Sequence, residues 1–145
     1  MEEDDVDGDA RTGARAEDAA GGSQHDLRVL PRITSAMVRI YKEQFGRGPE
    51  NARSYWAGQD TIICILADSL TPVERSMRDM GEHQRLRDIR MMFQYAAEEK
   101  FRAAVEQIAE RRVASFMSAV DVQHDLASEI FILEPRPGQA GDAPT

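Results

Sequence analysis

A single cysteine, Cys64, stands in a chain of 145 residues, so an intramolecular disulfide is excluded and a reducing, cytoplasmic setting is expected. No charged-then-apolar leader opens the sequence. Uncharged central stretches such as 61–67 fall far short of the roughly 20 residues that cross a bilayer, so direct membrane insertion is not expected. Any meeting with a membrane would go through a partner. Lysine is nearly absent, with only Lys42 and Lys100 against many arginines, a bias expected of a high-GC bacterial genome. No basic stripe exists to draw a phosphate backbone, which argues against nucleic acid.

The net charge of -8 is unevenly placed. Nine acids and two bases between Met1 and Asp26 account for -7 of it, so the remainder is nearly neutral. Residues 1–25 are rich in Asp, Glu, Ala and Gly with almost no large apolar side chains, and are expected to form a disordered acidic tail. Residues 136–145, with Pro137, Gly138, Gly141 and Pro144, read as a second disordered tail. Between them, residues 26–135 are expected to form one domain.

Leu30, Ile33, Met37, Ile40, Tyr41 and Phe45 form one apolar stripe at helical spacing, predicting a helix over 27–45 with Asp26 as N-cap, Gly46 as left-handed C-cap and Pro49 as a stop. Residues 51–57 and 61–67 predict a hairpin across Gly58-Gln59-Asp60, its second strand central and its first more exposed. Thr71-Pro72-Val73-Glu74 combines an N-cap, a first-turn proline and a capping-box glutamate, predicting a short helix to about Met80. After Gly81, a long helix over 82–110 would bury Leu86, Ile89, Phe93, Ala97, Phe101, Ala104, Val105 and Ile108 on one side. Its other side carries i,i+4 pairs, Glu98 with Arg102 and Arg102 with Glu106. Residues 112–120 and 126–133 predict a second hairpin, in which Leu126, Ser128, Ile130 and Ile132 alternate with Ala127, Glu129, Phe131 and Leu133. The order α-β-β-α-α-β-β packs most simply as an α+β two-layer sandwich: a four-stranded antiparallel sheet of two hairpins with helices on one face. The sheet's outer face is partly apolar, with Tyr55 or Trp56 exposed on an early strand, and pairing into a homodimer is expected.

Chemistry is sparse. His25, His83 and His124 are scattered without metal-ligand spacing, so neither a metal nor another cofactor is expected. His124, Asp125 and Glu129 are the nearest approach to an acid/base set, yet they lack a nucleophile and a hairpin turn explains the first two. Cys64 lies in the most apolar strand and reads as an inert buried thiol. Gly46-Arg47-Gly48-Pro49 could turn successive N–H groups toward one anion, although a helix stop followed by a tight turn explains the same residues.

This loop also carries a resemblance. Residues 41–49, Tyr-Lys-Glu-Gln-Phe-Gly-Arg-Gly-Pro, followed by Ala52-Arg53, resemble the opening of the MpsC-like family. Leu70-Thr71-Pro72-Val73-Glu74 is similar to its central motif. Residues 111–118, Arg-Arg-Val-Ala-Ser-Phe-Met-Ser, and 129–135, Glu-Ile-Phe-Ile-Leu-Glu-Pro, resemble its ending. The likeness spans about residues 30–135 and leaves the acidic start outside. It implies a small soluble component of a Na+-translocating, membrane-potential-generating system, linked in some bacteria with inorganic-carbon uptake. The family is also a domain of unknown function, with no catalytic residues to carry over.

Two binding roles follow as expectations. The first is a non-catalytic accessory or regulatory protein that meets a protein partner, such as a membrane transporter subunit. The alternative is a small-anion or small-ligand sensor using Gly46, Arg47, Gly48 and Arg53. An enzyme built on His124, Asp125 and Glu129 is the third class.

Overall fold

A computed structural model describes residues 23–136 and Gly138. The expected tails at 1–22 and beyond Arg136, Gly138 apart, lie outside the described residues.

The first helix, α1, runs Gln24–Phe45 and begins three residues earlier than the spacing predicts. Ser23, not Asp26, is its N-cap: the serine hydroxyl accepts from the Asp26 N–H at 3.0 Å. Asp26 instead supplies negative charge in the first turn, where it pairs with Arg136. Gly46, at φ 83°, closes the helix as expected, its N–H donating to the Lys42 carbonyl at 2.9 Å.

The first hairpin consists of β1, Asn51–Trp56, and β2, Thr61–Ala67. The helix α2, Pro72–Asp79, carries the full capping box, with Thr71 and Glu74 each accepting from the other's backbone N–H. The long helix expected over 82–110 is two helices, α3, His83–Ala96, and α4, Glu98–Ala109, broken at Ala97. The buried positions explain the break. They run Leu86, Arg90, Gln94, Ala97, Phe101, Val105 and Ala109. Each four-residue step in an ideal helix drifts by about 40°, so a straight helix would carry this row roughly 140° around its axis. The break redirects α4 so that its row meets the core. Ile89 and Phe93, expected inside, are 39 % exposed because the buried row runs through Arg90 and Gln94 instead.

The second hairpin is β3, Val113–Asp121, and β4, Leu126–Leu133. A bulge between Val113 and Ser115 lets Val113 and Phe116, three apart, both face the core. The strand order is β1-β2-β4-β3, antiparallel throughout. Helix α1 lies over β1 and β2, α3 and α4 lie over β3, and α1 packs on α4. The arrangement is the expected α+β two-layer sandwich. Its core joins Ile33, Met37 and Tyr41 of α1 to Phe101 and Val105 of α4 and to Ile62, Phe116 and Phe131 of the sheet. Trp56 turns inward and donates its indole N–H to the Asp26 carbonyl at 2.8 Å, while Tyr55 is exposed on the opposite sheet face.

Candidate functional site

Alternation along β4 places Glu129 on the helix-covered face with Ala127, Phe131 and Leu133. It is fully buried, and so are Tyr41 of α1 and Gln94 of α3, with Ser118 of β3 8 % exposed. Tyr41 donates its hydroxyl to Glu129 Oε1 at 2.7 Å. Gln94 Nε2 lies 2.9 Å from Glu129 Oε1, 2.9 Å from the Tyr41 oxygen and 2.8 Å from Ser118 Oγ. An amide nitrogen has two hydrogens, so the three oxygens share them.

Two acceptors remain without partners, Glu129 Oε2 and Gln94 Oε1. Burial pushes the Glu129 carboxyl from 4.5 up to about 7 against the hydrogen bonds from Gln94 and Tyr41. Burial, then the facing Glu129 charge, pushes the Tyr41 phenol well above its ordinary range. Protonation at Glu129 Oε2 would turn one of these acceptors into a donor, in a core where unpaired polar atoms are costly. No member of the cluster is exposed, so a substrate has no route to it.

A second convergence surrounds residues 68–71. Arg90, 1 % exposed, donates to both Glu74 oxygens at 2.5 and 2.7 Å and to the Ser69 carbonyl at 2.8 Å. Its guanidinium carbon lies 3.7 Å from the centre of the Phe45 ring. Burial raises the Glu74 carboxyl, but its bonds with Arg90 and Thr71 outweigh this and hold it below its usual value. The Asp125 carboxylate accepts from the Ser69 and Leu70 N–H groups at 3.0 and 3.2 Å. Arg47 donates to the Leu70 carbonyl at 2.6 Å and pairs with Glu50 at 3.4 Å. At the other end of the sheet, Arg111 donates to the carbonyls of Gln59 and Glu134 at 2.9 and 2.8 Å and pairs with Asp60.

The residues expected to carry chemistry are thus dispersed. His124 faces Asp121, 2.8 Å away on the exposed turn, while Asp125 points inward to the loop and Glu129 lies in the core. Gly46 is the helix cap, and a side chain at Gly48 would meet Val38 at 3.3 Å. Arg53 lines a shallow recess of about 340 Å³ with Asn51, Tyr55, Ile65 and Ala67, and the loop glycines are not among its walls. Burial pushes the Cys64 thiol up to about 11. Sequence reasoning missed Arg90 and Gln94 altogether. Their signal was their place one and two turns after Leu86 on a single helix row.

Among the described residues, no cluster of three or more His, Cys, Asp or Glu side chains could hold a metal ion, and no helix is long and apolar enough to cross a membrane. Fold and site together define a two-layer α+β domain whose concentrated polar groups are turned inward. A family model described as "Na+-translocating membrane potential-generating system (MpsC)" matches residues 28–135, and the chain belongs to that family. Searches of curated proteins and of solved structures return no match.

Proposed function

We propose that this protein is a non-catalytic accessory or regulatory component of the membrane-potential-generating system its family is named for, acting through contact with a protein partner such as a transporter subunit. One observation carries the reading. Several reactive-looking side chains in the segments of family resemblance are spent inside the fold. Tyr41 and Glu129 bond each other, Arg47 holds Leu70, Glu74 holds Arg90, and Arg111 joins Gln59 to Glu134. A chain that uses these groups to fix its own shape offers a partner a rigid surface. Ile89, Met92 and Phe93, all exposed on one stripe of α3, supply apolar area for such contact.

Affinity purification of the tagged protein from its native host, with and without residues 1–24, followed by mass spectrometry of membrane and soluble fractions, tests the role. Recovery of transporter subunits, reduced by Met92→Asp, is the expected result. Consistent failure to recover any membrane component would overturn it. The competing sensor reading keeps one feature in its favour, the recess beside Arg53. A ligand that fits would raise the melting temperature, by about 2.7 kcal/mol of stabilisation at 100 times its dissociation constant. A flat response to bicarbonate, phosphate and nucleotides would remove that reading.

A further inference from the structure

An antiparallel sheet with one face in water ordinarily carries polar side chains on that face. Here the face away from the helices does not follow that pattern. The registers align Tyr55, Ile63, Ile130 and Met117 in a row across all four strands, with Ile65 and Ile132 flanking it on the central strands. Tyr55 and Met117, on the edge strands, are 47 % and 43 % exposed. Only two charged residues share this face, Arg53 on β1 and Asp121 on β3, of opposite sign and at opposite edges.

From this we infer that the open sheet face is the contact surface for a second copy of the chain, packed sheet on sheet about a two-fold axis parallel to the strands.

Size, symmetry and charge support this occupant. Four strands about 4.8 Å apart and seven residues long at about 3.3 Å each give a footprint on the order of 450 Å² per copy. Both faces, with side-chain relief added, reach the roughly 1,000 Å² that a specific interface needs. A two-fold axis between β2 and β4, parallel to them, lays β1 of one copy over β3 of the other and β2 over β4. Arg53 aligns in register with Ala119, through Ile65 and Ser128, and Asp121 lies one row further along the same strand. The usual offset of about 30° between packed sheets moves the edge strands, about 7 Å from the axis, past each other by about 4 Å of that roughly 7 Å row, and the long arginine side chain spans the rest, giving two symmetric Arg53–Asp121 pairs. Asp121 also accepts from His124, which holds its carboxyl below the ordinary range and keeps it ionised. The alternative axis, across the strands, would bring β1 against β1 and Arg53 toward its own copy. The acidic residues 1–22 have too few large apolar side chains to cover a row of isoleucines.

Sedimentation velocity of the full chain over a concentration series tests the inference, with circular dichroism to confirm that each variant folds. A monomer–dimer equilibrium is expected. Ile130→Glu should abolish the dimer. Arg53→Asp and Asp121→Arg should each weaken it about tenfold, since two charge pairs are lost at once, and the double exchange should restore most of the affinity. The charge exchanges decide the question even if Ile130→Glu does not fold. A wild-type chain that stays monomeric throughout overturns the proposal, as does a dimer indifferent to all these changes. A double exchange no tighter than the singles overturns the orientation. A dimer seen only after residues 1–24 are removed assigns the face to the tail and overturns the second copy.

Discussion

Glu129→Gln should remove most of the pH dependence of stability between about pH 5 and pH 8. In the folded protein the carboxyl titrates at about 7, against an ordinary value of 4.5. The folded state therefore holds a proton through a range in which the unfolded chain has already released it. The stabilisation is complete below 4.5 and is lost as the pH rises through about 7. That displacement corresponds to about 3 kcal/mol, a large share of the roughly 5–15 kcal/mol that holds a domain of this size together. Urea unfolding at a series of pH values reads it directly. With m of about 2 kcal/mol/M, the wild-type midpoint should fall by ~1.5 M from acid to alkaline conditions at constant slope. The glutamine variant keeps a neutral side chain of the same size at every pH, so its midpoint should change little and exceed the wild type at pH 8. The histidines are common to both proteins, and the difference between the curves isolates this carboxyl. Two curves falling in parallel would refute the reasoning.

Three further outcomes follow from the same contacts. Arg90→Met should destabilise by about 3–5 kcal/mol, because Glu74 loses both its guanidinium bonds, and thermal unfolding would show it. Asp125→Ala should cost about 2–3 kcal/mol by stranding the Ser69 and Leu70 N–H groups and placing alanine at φ 52°; those two amides should lose hydrogen-exchange protection first. Cys64 should resist thiol reagents at neutral pH in the native protein and label fully in denaturant, with mass spectrometry as the readout.

Much of the architecture was legible because its signals are local. The capping box at Thr71, the αL glycine at 46, both hairpins and the sandwich class were all readable from short segments and their order. The helix break at Ala97 was not, since no proline or glycine marks it and the cause is which neighbours each half must meet. The start of α1 was misplaced because Ser23 and Asp26 are both good caps and the turn between them looks the same from either. The candidate site was half visible. The alternation of β4 already placed Glu129 with Ala127, Phe131 and Leu133, but only tertiary packing brings Tyr41 and Gln94 to meet it. A buried acid reads as a surface one until its partners, 88 and 35 residues away, are known.

The strand order has a consequence for the chain as it is made. Because β4, the last strand, inserts between β2 and β3, the inner edge of β2 has no neighbour until residue 126 onward emerges from the ribosome. Roughly 60 residues separate the two strands, so at about 5–20 residues per second the nascent hairpin waits some 3–12 s with an open edge. That edge belongs to the isoleucine-rich strand, the kind of surface that pairs readily with another chain. Arrival of β4 closes it and delivers Glu129 to the core in the same movement. A message truncated before β4 would therefore yield a sticky hairpin and loose helices, a substrate for chaperones and proteases, whatever fraction of the sequence it retained.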